Sequence, residues 1–181
     1  DREQCSSEIT ALYKASLAQG ETLVDLTGGF GIDCAFLAAR FKTVTYIERQ
    51  KELCEIAAHN FPLLGLKQIR IQNADGVEYL QTMSPTDCIF LDPARRNEHG
   101  GKTVAISDCE PNAAALEELL LEKGQQVIIK LSPMLDLSLA IRDMKHVSEV
   151  HIISVNNECK ELLLMLRSEK TSPMILSLIH I

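Results

Sequence analysis

Short apolar runs alternate with helical stretches along most of this chain, and that rhythm constrains the fold more than any other feature. Residues 22–27, 43–48, 69–73, 87–91 and 126–130 are rich in Val, Ile, Thr or aromatics and are bounded by polar or Gly residues, as strands are. Several are nearly apolar throughout, which suits strands covered on both faces. Between them, residues 32–40, 48–60, 111–123 and 136–144 read as helices, and Leu53, Ile56 and Ala57 mark one face of the second. Pro111 fits a helix start, and Gly124 fits the left-handed position after a helix end. Residues 7–18 read as a leading helix. Alternation of this kind predicts an α/β fold: a Rossmann-like, doubly wound, mostly parallel sheet with helices on both faces. The rhythm breaks near the end. Residues 150–155 and 162–167 are strand-like, and residues 156–161 between them are too few for a crossover helix. These two, the sixth and seventh strands, are therefore expected to form an antiparallel hairpin that closes a seven-stranded sheet.

The 181 residues suit one domain, which at this size buries roughly 70% of the surface of its unfolded chain. The predicted division is a leading helical segment over residues 1–20, a core over 21–168 and a tail over 169–181. The tail is surplus to seven strands. Its last residues, Ser177-Leu178-Ile179-His180-Ile181, resemble a translated sequencing adapter, and the chain starts without Met, so it reads as an excerpt. With 46% apolar and 24% charged residues the chain is no disordered polymer. Its apolar runs are far below the ~18 residues that span a bilayer, and no signal-peptide pattern opens it. No membrane partner is expected. The six cysteines show no C-x-x-C pair, and Cys34, Cys54 and Cys88 sit in apolar stretches. Reduced thiols in a cytoplasmic protein are the expectation. The five histidines are scattered, so no metal site is expected.

The residues that carry chemistry cluster at a glycine-rich turn. Val24-Asp25-Leu26-Thr27-Gly28-Gly29-Phe30-Gly31-Ile32-Asp33 takes the chain from a strand, through glycines, into a helix. Glycine lets backbone turn sharply and lets a ligand come close. The next strand ends in Glu48, where a carboxylate can take both ribose hydroxyls of an adenosine nucleoside. A nicotinamide dehydrogenase would use the same parts, but its fingerprint wants Gly or Ala where this chain has Cys34. An acid at Asp25, three residues before the first glycine, suits a ligand with an ammonium group and no pyrophosphate.

On these residues the chain resembles the class I S-adenosylmethionine-dependent methyltransferases. Residues 25–31 look like their first motif, Glu48 like their ribose acid, and Asn73-Ala74-Asp75-Gly76 like the turn whose Asp meets the adenine amine. Asp92-Pro93-Ala94-Arg95-Arg96 looks like the motif after the fourth strand, beside the transferred methyl. The resemblance implies S-adenosyl-L-methionine as cofactor and S-adenosyl-L-homocysteine as product. It implies cofactor contacts from Asp25, Thr27, Gly28, Gly29, Phe30 and Gly31 in the loop. Further contacts are implied for Glu48, Arg49, Ala74, Asp75 and Asp92. A closer resemblance, to a bacterial group with a C-terminal THUMP-like domain, rests on residues 92–96, 130–136 and 157–162. It implies RNA (tRNA or rRNA) as substrate, bound with help from a domain outside this sequence.

Asp92, Pro93 and Arg95 are the candidate catalytic residues. Amino-methyltransferases of nucleic acids follow the acid with Pro-Pro and an aromatic, and here Ala94 and Arg95 replace the last two. Carbon-5 uridine methyltransferases need a Cys just after the fifth strand, where this chain reads Leu131-Ser132-Pro133-Met134. Direct in-line transfer is the expectation. Arg95, Arg96, Lys102 and Lys130 are candidate substrate contacts that would hold an acceptor phosphate. Arg142 is expected near them, and Cys159 is expected to be structural. The net charge of −7 opposes broad nucleic-acid binding, which leaves that affinity to a basic partner domain. The other readings are a cofactor-binding module without chemistry and an NAD-dependent dehydrogenase.

Overall fold

The structure is a computed structural model that describes residues 2–96, 104–169 and 173–180. The chain divides into two compact units, the first ending at Leu91 and the second beginning at Asp92.

The first unit runs α1 (Arg2–Leu17), β1 (Thr22–Asp25), α2 (Ile32–Ala38), β2 (Thr43–Glu48), α3 (Lys51–Leu63), β3 (Ile69–Asn73), α4 (Gly76–Thr82) and β4 (Thr86–Leu91). Its strands are all parallel, in the order β4-β1-β2-β3. The register sets Asp25 opposite Tyr46 and Phe90, and Glu48 opposite Asn73. The loops that follow the C-terminal ends of β1, β2 and β3 therefore share one edge, where ligands of open α/β sheets bind. Leu23, Tyr46, Ile47, Leu80, Ile89 and Phe90 fill the core. The helix α1 packs on α2, and Lys14 Nζ, only 2% exposed, meets Asp33 Oδ1 at 2.8 Å, so the charge is buried with a partner.

Three local expectations shift here. β1 stops at Asp25, not Thr27, because the Asp25 carboxylate accepts from the Thr27 N–H at 3.0 Å and turns the chain. α3 starts at Lys51, after Glu48 has completed β2, and it buries Cys54, Ala57 and Phe61. Ile56, expected inside, is 42% exposed. The helix α4 lies where the sequence pattern predicts no helix. It spans only seven residues and owes its start to Asp75, whose Oδ1 accepts from Val77 N at 2.9 Å and Glu78 N at 3.0 Å.

The second unit holds β5 (Ala94–Arg95), a 3-10 turn (Ile106–Asp108), β6 (Cys109–Glu110), α5 (Ala113–Lys123), β7 (Gly124–Leu131), α6 (Leu137–Asp143), β8 (Val147–Val155), β9 (Glu158–Leu166) and β10 (Met174–His180). β5 and β6 form a short antiparallel pair. The longer strands lie in the order β10-β8-β9-β7, with β8–β9 and β9–β7 antiparallel. The closing hairpin is thus present, but its turn is shorter than expected. Asn156 and Asn157 take φ of 52° and 62°, the left-handed pair of a two-residue hairpin turn, and residues 158–161 continue the strand. β10 pairs parallel to β8, so the tail contributes a strand, and the described residues hold eight strands where seven are expected, apart from the β5/β6 pair. Gly124 is not a left-handed cap: at φ −119° it is extended and opens β7 directly from α5. Pro111 precedes the N-cap of α5, which is Asn112. Among the described residues no helix is long and apolar enough to cross a membrane. Cys34, Cys54, Cys88 and Cys109 are buried and Cys159 is half-buried, all as thiols.

Candidate functional site

The glycine loop is shaped by what lies against it. A Cβ on Gly28 would sit 2.2 Å from the Tyr46 ring, and one on Gly31 would sit 2.8 Å from Phe61 Cζ. These two positions need glycine for packing, and Gly31 also for its φ of 83°. Gly29 differs. Its φ is 57°, yet a Cβ there would meet only Thr27 O, at 3.6 Å. Gly29 therefore marks the side of the loop that stays open to approach. Phe30 and Ile32, on either side of Gly31, are 67% and 62% exposed.

Tyr46 sits beneath the loop, fully buried. Its hydroxyl donates to Gly29 O, and its ring meets Phe61 edge-on at 5.5 Å. Burial pushes its phenol pKa upward, and the charges of Cys54, Glu48 and Asp25 add to the rise.

Glu48 ties the loop to β2. One carboxylate oxygen accepts from Gly29 N at 3.1 Å and the other from Gln50 N at 2.6 Å. Its backbone carbonyl accepts from Ala74 N at 3.1 Å, Asn73 Nδ2 at 2.9 Å and Cys54 Sγ at 3.2 Å. Asn73 Nδ2 also donates to Arg49 O at 2.9 Å. Arg49, Ala74 and Asp75 are thereby drawn to the same edge as the loop. Asp25 is 1% exposed, and its Oδ1 holds the Thr27 N–H. Burial, with Asp25 and Asp33 nearby, raises the Cys34 thiol pKa well above the usual value.

Of the predicted cofactor residues, the first unit brings together Asp25, the glycine loop, Glu48, Arg49, Ala74 and Asp75. Asp25, Glu48 and Asp75 make the set rich in acceptors. That suits hydroxyl, ammonium and amine donors, and it opposes a pyrophosphate. S-adenosylmethionine fits such a set.

The second unit begins with the remaining candidates. Asp92 is 44% exposed, and Lys130 Nζ stands 3.5 Å from its Oδ2 and 3.6 Å from Glu161 Oε1. Lys130, expected to reach for a substrate phosphate, is thus flanked by two carboxylates. Pro93 is buried, and Arg95 lies in β5 opposite Cys109. Arg96 turns back on its own loop: its N–H donates to Asp108 O at 2.9 Å and its guanidinium to Ser107 O. Arg142 pairs with its neighbour Asp143 at 3.3 Å. Lys102 lies outside the described residues. Burial raises the Cys109 thiol pKa, Asp108 adds to that, and Arg95 and Arg96 oppose it.

Sequence reasoning missed Tyr46, Asn73 as a side chain, and Glu161. Tyr46 left a signal: it stands two residues before Glu48, on the strand that flanks the glycine loop. Glu161 left none, since it reaches Lys130 only diagonally across the β7–β9 pair, in which Lys130 lies opposite Leu163.

The family model of protein-L-isoaspartate(D-aspartate) O-methyltransferase (PCMT) matches residues 5–98. A protein-L-isoaspartate O-methyltransferase of Koribacter versatilis is 30% identical over 131 residues, which cover 72% of this chain and 53% of that protein. A Mycoplasma mobile protein described as an uncharacterized RNA methyltransferase is 34% identical over 98 residues, covering 51% of this chain and 27% of its own length. A crystal structure from Porphyromonas gingivalis W83, assigned as a methyltransferase, shares 36% identity at a TM-score of 0.80 and covers 90% of this chain and 41% of that one. The chain thus spans about half or less of these relatives. The matches set the dehydrogenase reading aside and agree with the α/β Rossmann-like fold and with S-adenosylmethionine as cofactor. The chain belongs to the protein-L-isoaspartate(D-aspartate) O-methyltransferase (PCMT) family of class I S-adenosylmethionine-dependent methyltransferases.

Proposed function

We propose that the chain is the cofactor-binding core, residues 21–168, of a bacterial, cytoplasmic RNA methyltransferase that acts on tRNA or rRNA without a cysteine nucleophile. Residues 1–20 lead into that core, and residues 169–181 follow it and carry β10, which pairs with β8. When bound, S-adenosylmethionine supplies a methyl carbon already activated by its sulfonium, so the protein has mainly to align the acceptor. Asp25, the glycine loop, Glu48 and Asp75 hold the cofactor. Asp92, next to the buried Pro93, faces the acceptor, and Arg95, Arg96 and Lys102 meet its phosphates.

The observation that carries the reading is the Asp92–Lys130–Glu161 cluster, with Lys130 at 3.5 Å and 3.6 Å from the two acids. Two carboxylates share one ammonium. Such a cluster favours an acceptor that presents N–H or O–H over one that presents another carboxylate. The Mycoplasma relative, described as an RNA methyltransferase, supports RNA. A second reading, an isoaspartyl carboxylate on protein, is favoured by the family model and the Koribacter relative.

Labelled-methyl transfer by the full-length protein decides between them. The acceptors are bulk RNA from a strain lacking the gene and an isoaspartyl peptide. Label in RNA is expected, and Asp92→Ala should lower turnover by about 10²-fold or more. Label in the peptide alone supports the second reading. Label in neither, with cofactor still bound, leaves a module without chemistry.

A further inference from the structure

We propose that Tyr46 is a positioning residue that holds the glycine loop in its cofactor-binding shape before any ligand arrives. The inference rests on the reading of Asp25, Glu48 and the loop as the cofactor site. The Gly29 residue is gripped from both of its backbone polar groups. Its N–H donates to Glu48 Oε1 at 3.1 Å, and its carbonyl accepts from the Tyr46 hydroxyl. Both gripping side chains come from β2, two residues apart on one face of the strand. Gly28 adds a third tie, donating to Ile47 O at 2.8 Å. The Tyr46 ring fills the space a Gly28 side chain would need, so the loop cannot settle closer to the strand.

The arrangement has a chemical consequence. Gly29 is the loop residue with open space on its far side, and a glycine left free divides its time between its φ of 57° and other conformations. A loop that samples other shapes binds more weakly by the fraction of time it is competent. The Tyr46 hydroxyl raises that fraction. Glu48 serves twice, since it fixes Gly29 and stands where the ribose is expected, and this couples loop shape to cofactor affinity through one carboxylate.

Tyr46→Phe keeps the ring against Gly28 and Phe61 and removes only the donor. Calorimetry with S-adenosylhomocysteine should show binding weakened about three- to tenfold, the effect of one ordinary hydrogen bond. The double variant with Glu48→Gln should lose less than the sum of the two single losses, because both grip one residue. A merely structural tyrosine would lower Tm and leave the dissociation constant in place. Wild-type amide exchange gives an independent reading: Gly28 and Gly29 should exchange as slowly as β2. Unchanged affinity in Tyr46→Phe, or loop amides exchanging at the unprotected rate, overturns the proposal. If those outcomes occur while Glu48→Ala still weakens binding, the cofactor site stands and only the role of Tyr46 falls. If wild-type chain binds no S-adenosylhomocysteine, the site reading itself falls, and the proposal with it.

Discussion

Two adjacent glycines make the case that one residue type serves different ends. Gly28→Ala sets a methyl group 2.2 Å from a Tyr46 ring carbon. Overpacking of that kind costs about 1–3 kcal/mol. Gly29→Ala meets nothing closer than 3.6 Å but keeps φ at 57°, a conformation that costs an L-residue about 1–2 kcal/mol. Thermal denaturation should therefore show Gly28→Ala losing more Tm than Gly29→Ala. The reverse order would contradict the packing of Tyr46 under the loop. The glycine run, Asp25 and Glu48 were legible in the sequence because each belongs to a local pattern. Glu161 was not, because it reaches Lys130 only through strand pairing between residues far apart in the chain. Lys130 was legible as a cation but not as one already held by two acids.

At the scale of elements, the strand join of β1 and β4 carries a pH dependence. Asp87 Oδ2 accepts from Glu21 N at 2.7 Å and Thr22 N at 3.1 Å. These hydrogen bonds hold its carboxyl pKa below the ordinary 3.8. A group with a lowered folded pKa stabilises the fold above its unfolded pKa, and that stability is lost as pH falls through the folded value. Asp87→Asn should thus flatten the loss of stability below about pH 4, measured by urea unfolding at a series of acidic pH values. Equal slopes in variant and wild type would contradict the assignment. β2 and β3 match their predicted bounds because alternation and flanking polar residues agree there. α4 escaped notice because seven residues starting at Gly76 carry little helical periodicity. Its real signal is the Asp75 cap, so Asp75→Ala should cost about 1 kcal/mol, read as a lower Tm. An unchanged Tm would contradict the cap. β10 is not legible because seven strands already complete the expected sheet before its residues begin. Gly124 misled because its sequence context fits a helix cap, whereas the chain passes straight into β7.

For the whole molecule, the net charge of −7 bears on which acceptor these residues can meet unaided. An acidic core gains little from phosphate contacts, so an RNA acceptor requires basic surface beyond what these residues supply. The chain covers 41% of its Porphyromonas relative and 53% of its Koribacter relative. Substrate choice is accordingly proposed for the full-length protein, and cofactor recognition for these residues. The α/β class was legible from alternation alone. The cofactor was legible because the glycine run and the acids that carry the resemblance follow strands of the alternating pattern. The acceptor was not, since Ala94 and Arg95 depart from the patterns that name one. The central claim is that the Gly29–Glu48 edge binds S-adenosylmethionine, and calorimetric titration of the chain with S-adenosylhomocysteine tests it most directly. Saturable heat from wild type, with affinity about 10- to 100-fold lower in Glu48→Ala, is the predicted result. No binding by folded wild-type chain, or equal affinity in the two proteins, would contradict it.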